Sequence, residues 1–141
     1  MKTIIKTILI LPLAMMPVSL KAPNWYVDII AKESGYKPYE KVFDAVCWVE
    51  SGNRADAYNE KEGSVGIAQI RKIKIDDYNQ RTGKNIKHED CFCPNVSKEI
   101  FMHHMEQYGV YNIDLGIKRW NGSGSMADAY AKRVFEIIEK Q

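Results

Sequence analysis

Apolar residues recur at intervals of three to four positions along most of the chain after residue 22, which is the spacing of one buried face on an α-helix. Val42, Val46 and Val49 form such a stripe in the first of these segments. Strand patterning is weak, and it is confined to a small β excursion around residues 59–69. The sequence therefore predicts a mainly α domain of five or six helices. The helices that we can place cover residues 39–51, 76–81, 97–108, 112–120 and 125–137.

Residues that favour helix ends support several of these boundaries. Pro38 suits the first turn of a helix, and Gly52 suits the position just after a helix end. Ser125, followed by Asp128 three positions later, is similar to a capping box and predicts that the last helix begins there. Ordered loops are predicted for residues 55–64 and 88–96.

The first 22 residues have the composition of a secretory signal peptide. Lys2 and Lys6 form a basic start, residues 8–20 form an apolar run, and Ala22 provides a small residue for cleavage. The alternative is a membrane anchor, but the run is short and two prolines interrupt it, whereas a spanning helix needs about 20 apolar residues. We therefore expect an exported protein of the periplasm or cell envelope, with one domain over residues 23–141 and no stable membrane span after processing.

The net charge changes when this leader is removed. The whole chain carries +2, but residues 1–22 contain three lysines and no acidic residue, so the remainder carries −1. A nucleic-acid-binding domain would show a basic excess, and this near-neutral balance argues against that class of function.

Three cysteines are an odd number for an exported protein, so either one disulfide with a free thiol or three free thiols is open. Cys91 and Cys93 lie near histidines in the sequence, which raises the alternative of a zinc site. A single residue separates these two cysteines, whereas zinc sites usually place two to four residues between them. Structural cysteines and no metal are therefore the favoured prediction. Cys47 has no adjacent base and is not expected to be a nucleophile.

Glu50 is the residue that the sequence places best for acid catalysis. It lies at the end of a predicted apolar helix, where the helix dipole and partial burial both disfavour a carboxylate and raise its pKa. A carboxyl that stays protonated near neutral pH can protonate the leaving oxygen of a glycosidic bond. Taken alone, a glutamate is more often solvated, so the prediction depends on the elements that follow it in the chain.

Those elements are a glycine turn and two aromatic positions. Gly66 and Gln69 bracket two apolar residues, in a turn where the backbone can approach a ligand and an amide can donate and accept hydrogen bonds. Trp120 and Asn121 precede a glycine-rich stretch, and Tyr130 lies in the last helix. Trp120 is equally well explained as a core aromatic residue.

In this order, Glu50-Ser51, Gly66 to Gln69, Trp120-Asn121 and Tyr130 resemble the signature of lytic transglycosylase SLT domains, which are lysozyme-like enzymes of the goose type. The resemblance spans roughly residues 39–134. It implies a lysozyme-like fold with Glu50 as the catalytic residue and no metal or organic cofactor. The substrate-binding residues that it implies are Ser51, Gly66, Gln69, Trp120, Asn121 and Tyr130. Two positions differ, since Ala68 replaces the usual Met and Trp120 replaces the usual Tyr.

The substrate implied by the resemblance is the glycan strand of peptidoglycan. Glu50 alone would act as acid and then as base, and the sugar's own 6-hydroxyl would attack to leave a 1,6-anhydro-MurNAc end. A lysozyme-type hydrolase is the main alternative, with Asp56, Glu60 or Glu62 activating a water. A non-catalytic glycan-binding module and a small exported interaction protein are the others. A secretion or envelope machinery is a further partner that this class of enzyme suggests.

Overall fold

The structure, a computed structural model, describes residues 38–141. The predicted signal peptide, residues 1–22, and the predicted start of the mature chain lie outside these residues. Between residues 38 and 141, none of the helices has both the length and the apolar character that a bilayer crossing requires. In chain order the elements are α1 Pro38–Ser51, β1 Tyr58–Asn59, β2 Ser64–Val65, β3 Ile70–Arg71, α2 Lys72–Thr82, a 3₁₀ helix His88–Phe92, α3 Pro94–Tyr108, α4 Ile113–Asn121 and α5 Ser125–Ile138.

The prediction of a mainly α domain with a small β excursion is confirmed by this architecture. The largest difference from the predicted helices is at α2, which begins at Lys72 instead of Asp76. It starts directly after β3, without a loop and without a side-chain cap, so the usual sequence signal for a helix start is missing. Gly83 ends the helix in the left-handed conformation, with φ of 72°.

The predicted capping box at the start of α5 is wrong. Gly124 occupies the N-cap position and no side chain caps this helix. The carboxylate of Asp128 instead lies 3.0 Å from the ammonium of Lys118 on α4. The side chain of Asp is one carbon shorter than that of the Glu that normally reaches back to the N-cap. Asp128 instead pairs with Lys118 on the neighbouring helix.

The β excursion is a three-stranded antiparallel sheet in the order β1-β2-β3. Tyr58 pairs with Val65, and Val65 in turn pairs with Ile70. Each strand is two residues long, which is why alternation in the sequence gave so little signal. The turn between β2 and β3 contains residues 66–69, so the motif identified in the sequence forms the tip of a hairpin.

The helices enclose one apolar core that includes part of the sheet. α1 packs against α5, α5 packs against α4, and α4 packs against α3. The Phe101 ring on α3 lies at the centre, with ring centroids 5.4 Å from Phe43 and 5.0 Å from Trp120. This packing fixes the C-terminal end of α1 between the β2–β3 hairpin and α5.

Gly66 is required at the hairpin tip for two physical reasons. Its φ is +79°, a conformation that residues with a Cβ rarely adopt. A Cβ at this position would also lie 2.0 Å from the backbone oxygen of Cys91. The side of Gly66 that would carry a Cβ therefore faces the 3₁₀ helix, and the glycine allows the hairpin to pack against it.

We predict that Gly66→Ala destabilises the fold by about 2–5 kcal/mol, because the left-handed conformation and the collision with Cys91 both add to the cost. Gly63→Ala is the matched control, since its φ is +59° and a Cβ there would meet nothing within 4 Å. This control should lose only about 1–2 kcal/mol. Urea unfolding followed by circular dichroism measures both losses. Equal losses in the two variants would show that the close approach is unimportant.

Candidate active site

Glu50 and Tyr130, 80 positions apart in the chain, are joined by a hydrogen bond. The Tyr130 hydroxyl donates to Oε1 of Glu50 at 2.7 Å. Glu50 is the last residue but one of α1, and Tyr130 lies in the middle of α5. Because α1 and α5 pack along each other, their contact brings the two side chains together.

The surroundings of Glu50 favour its neutral form. Burial raises the pKa of the Glu50 carboxyl, and repulsion from Glu62 raises it further. The hydrogen bond from Tyr130 and the charges of Arg71 and Arg133 lower the pKa, but they do not overcome the effect of burial. The C-terminal end of α1, where the helix dipole is negative, also disfavours a carboxylate here. The result is a carboxyl poised to hold a proton at a higher pH than usual.

Tyr130 fixes which oxygen of Glu50 can carry that proton. Burial and the neighbouring Glu50 raise the pKa of the Tyr130 hydroxyl far above its ordinary value, so the hydroxyl stays protonated and donates. Since Oε1 of Glu50 accepts this bond, the acidic proton belongs on Oε2. The ring of Tyr130 is 2% exposed, which gives the hydroxyl a fixed direction.

Three charged residues around Glu50 come from three different elements. Arg71 follows the hairpin on β3, and its Nη2 donates to the backbone oxygen of Asn121 at 3.0 Å. Arg133 lies one turn after Tyr130 on α5, with its guanidinium 5.9 Å from the centre of the Tyr130 ring. Glu62 lies in the turn between β1 and β2. Both guanidinium charges act to lower the pKa of Glu50, whereas Glu62 acts to raise it.

Ser51 connects the end of α1 to the hairpin. Its hydroxyl donates to the backbone oxygen of Ile67 at 2.7 Å and accepts a hydrogen bond from the backbone N–H of Arg54 at 3.0 Å. The side chain is buried, with an exposed fraction of 8%. Ser51 therefore holds the Gly66–Gln69 turn in place beside Glu50, and it is a positioning residue in this structure.

Gln69 also stabilises the hairpin through its hydrogen bonds. Its Nε2 donates to the backbone oxygens of Gly66 at 2.9 Å and Ala57 at 3.3 Å, and its Oε1 accepts from the Ser64 hydroxyl at 2.8 Å. Both amide hydrogens are used, so this side chain has none to offer to a sugar. The Gln69 backbone is itself in the left-handed region, with φ of 48°. Its bonds to Ser64, Gly66 and Ala57 stabilise that conformation.

The structure places Trp120 in the core, which was one of the two interpretations open from the sequence. Its ring is 4% exposed and lies 5.0 Å from Phe101 and 5.1 Å from His104, measured between ring centroids. A ring enclosed in this way has no free face for stacking on a sugar, so Trp120 packs the core in this structure. Asn121 is half-buried, and its backbone oxygen is tied to Arg71.

All three cysteines are free thiols. Cys47 lies one turn before Glu50 on α1 and is 1% exposed. Burial, together with the charges of Asp44 and Glu50, raises the pKa of the Cys47 thiol to about 12, so it is protonated and unreactive. Cys91 is also buried, whereas Cys93 is exposed. Among residues 38–141, no group of three or more His, Cys, Asp or Glu side chains is arranged to hold a metal ion.

Sequence reasoning missed the two arginines that act on Glu50. Arg71 is two positions after Gln69, the last residue of the glycine turn, and Arg133 is three positions after Tyr130, on the same side of α5. Both spacings are visible in the sequence. The sequence does not show that the two arginines act on Glu50, because Glu50 lies on another element. Ser64 was missed for the same reason, since only the fold brings its hydroxyl to Gln69.

No family model, curated protein or solved structure matches this chain. The chemistry of the site is therefore the basis on which a function can be proposed.

The raised pKa of Glu50 predicts that Glu50→Gln stabilises the fold at neutral pH. A carboxyl whose pKa is higher in the folded protein than in the unfolded chain makes its full contribution to stability below its unfolded pKa, which is about 4.3 for Glu. As the pH rises, the unfolded chain ionises first and the wild-type protein loses stability, until the pH has passed the folded pKa. The glutamine variant keeps the bond acceptor for Tyr130 but has no such loss.

Urea unfolding at intervals between pH 3.5 and pH 8 should therefore give an advantage for Glu50→Gln that grows with pH and then levels off. Glu60→Gln is the control, because that side chain is exposed and surface substitutions usually change stability by less than about 0.5 kcal/mol. A glutamine variant that is less stable than the wild type at pH 7 would contradict the assigned direction of the shift.

Proposed function

We propose that this protein is a peptidoglycan lytic transglycosylase with a lysozyme-like fold, in which Glu50 is the single catalytic acid and base. The observation that carries the proposal is the half-buried Glu50 carboxyl, bonded at 2.7 Å to the Tyr130 hydroxyl. The mainly helical domain with a small sheet beside α1 is compatible with the fold that the sequence resemblance implies. We further propose that the protein works outside the cytoplasm, on glycan strands and with no cofactor.

The first chemical step is protonation of the leaving group. Glu50 gives its proton from Oε2 to the glycosidic oxygen between MurNAc and GlcNAc, and the bond from that oxygen to C1 of MurNAc breaks. Tyr130 continues to donate to Oε1, which orients the carboxyl and stabilises the charge that it acquires. The substrate's N-acetyl group stands in for an enzyme nucleophile at C1.

The second step returns the proton to Glu50. The carboxylate takes the proton of the 6-hydroxyl of the same MurNAc, and that oxygen forms the new bond to C1 as the bond between C1 and the N-acetyl oxygen breaks. No water is consumed, and Glu50 ends the cycle protonated as it began. The positive charges of Arg71 and Arg133 support the intermediate state in which Glu50 is ionised.

A hydrolase is the second candidate, and Glu62 is the residue that favours it. An inverting hydrolase needs a second carboxylate about 6.5–9.5 Å from the acid, with a water between them. Asp56, Glu60 and Glu62 are all exposed, but only the charge of Glu62 acts on the pKa of Glu50. Glu62 is therefore the residue to test as a base.

Glu50→Gln should remove nearly all cleavage of purified peptidoglycan, because an amide has no acidic proton to donate. The loss of turbidity of a peptidoglycan suspension and the release of soluble muropeptides measure the rate. Glu60 is an exposed glutamate in the neighbouring turn, so the Glu60→Gln variant should cleave at close to the wild-type rate. Activity of Glu50→Gln within about tenfold of the wild type, equivalent to about 1.4 kcal/mol of activation free energy, would exclude Glu50 as the essential acid.

Product analysis separates the two candidate reactions. The transglycosylase reaction predicts that Asp56→Asn, Glu60→Gln and Glu62→Gln each keep most activity and that the products end in 1,6-anhydro-MurNAc. Mass spectrometry detects such an end because it is one water lighter than a reducing end. Loss of a general base typically costs about 10²–10⁴-fold. Reducing ends, together with such a loss in Glu62→Gln, would make the protein a lysozyme.

A further inference from the structure

A groove of about 480 Å³ lies on the side of the domain where α2, α3 and the end of α4 meet. Its walls include Lys74 and Asp77 from α2, His104 and Tyr108 from α3, and Arg119 from α4. This volume is large enough for a sugar or a short peptide group. None of these residues belongs to the site around Glu50.

The groove carries an excess of positive charge. Lys74 and Arg119 are its two cations, and no carboxylate in residues 38–141 forms an ion pair with either of them. Asp77 is the acidic residue of the lining, but its carboxylate is paired at 2.9 Å with Arg81. Burial lowers the pKa of His104 to about 4, so this imidazole is neutral at neutral pH.

The ammonium of Lys74 has a hydrogen to spare. It donates to the backbone oxygen of Arg119 at 2.9 Å and lies 5.3 Å from the centre of the Trp120 ring. An ammonium has three hydrogens, so these two contacts leave one for a ligand. Burial, followed by repulsion from Arg71, lowers the pKa of Lys74 to about 8, whereas Asp77 acts in the opposite direction. An anion that entered the groove would relieve this unfavourable environment.

Arg71 connects the groove to the site around Glu50. Its charge acts on the pKa of both Glu50 and Lys74, so it lies within electrostatic range of each. Arg71 and Lys74 also hold neighbouring parts of α4, because Arg71 donates to the oxygen of Asn121 and Lys74 to that of Arg119. Arg71 therefore couples the two sites electrostatically.

We propose that this groove binds a carboxylate of the substrate, with Lys74 and Arg119 as the donors and the Tyr108 ring as an apolar wall. The Arg119 guanidinium lies 5.1 Å from the centre of that ring, which orients it within the groove. The inference rests on the proposed function, because it names a second contact point for the same glycan. Two sources share this chemistry: the lactyl carboxylate of MurNAc and the carboxylates of the peptide stem.

The test measures binding by the full chain with Glu50→Gln, so that no substrate is consumed. Isothermal titration calorimetry would compare three ligands: chitotetraose, which has no carboxylate; a GlcNAc–MurNAc tetrasaccharide without peptides; and the same tetrasaccharide with its peptide stems. We expect Lys74→Met and Arg119→Gln each to weaken binding of carboxylate ligands by at least about tenfold, as for loss of a charged hydrogen bond. Binding of chitotetraose should not change.

The source of the carboxylate follows from which ligand loses affinity. A loss with the peptide-free tetrasaccharide assigns the lactyl group, and a loss only with the peptide-bearing one assigns the stem. Lys72→Met is the matched control, because Lys72 is an exposed lysine on the same helix and is paired with Asp76. It should bind all three ligands as the parent does. Thermal unfolding checks that Lys74→Met is folded, and Arg119→Gln, at an exposed position, gives an independent test.

A final arm separates this inference from the proposed function. An N-acetylated dipeptide carries a carboxylate but no sugar, and NMR of the Lys74 ammonium should show a saturable shift as it is added. This shift should be absent with the corresponding dipeptide amide. Unchanged Lys74 signals, together with equal affinities of both groove variants for every ligand, would overturn the inference. That result would leave the cleavage assays on Glu50 unaffected.

Discussion

The hydrogen bond between Tyr130 and Glu50 is the interaction on which the candidate site depends. It joins α5 to α1, and it connects the buried Tyr130 to the half-buried Glu50. A lone buried carboxylate would be costly, so the group responds by holding its proton. The tyrosine makes that neutral state useful, because it occupies one oxygen of the carboxyl and leaves the other to carry the proton. Fold and chemistry are connected through this single contact.

Around this contact, most of the polar side chains of the motif are used to hold the backbone. Ser51 and Gln69 bond to backbone atoms of the hairpin, and Ser64 bonds to Gln69. Gly66 has the same purpose, since its missing side chain allows the hairpin to approach the 3₁₀ helix. Residues that the sequence suggested as ligand contacts therefore hold the backbone around Glu50 in place. A rigid support of this kind keeps Glu50 and Tyr130 at a fixed distance, as acid catalysis requires.

The sequence predicted the helices and the turn that depend on local patterns. The three- to four-residue spacing of apolar positions placed α1 and α5, and the glycine turn was recognised as a turn. The start of α2 was misplaced, because this helix continues directly from β3 without a side-chain cap. The cap expected for α5 is absent, because Gly124 occupies the N-cap position and has no side chain.

At the site, the sequence indicated Glu50 as the acid but could not give Arg71 or Arg133 a partner. A through-space charge on a residue 21 or 83 positions away leaves no mark in local spacing. For Trp120 the sequence left two environments open, since an aromatic residue on an amphipathic helix can lie in a cleft or in the core. Only the positions of Phe101 and His104 decide between the two.

Arg71 links the acid to the groove in a way that has consequences for both. Its charge lowers the pKa of Glu50, so it opposes the protonated state that the first step of the proposed reaction needs. A carboxylate bound at Lys74 would offset part of the positive potential of Arg71 and would therefore favour protonation of Glu50. By the same linkage, protonation of Glu50 removes a nearby negative charge and favours binding of the carboxylate. A substrate that filled the groove would thus help to prepare the acid for its first step. Because the second step returns the proton to Glu50, this linkage opposes the bound carboxylate only while Glu50 is ionised, between the two steps.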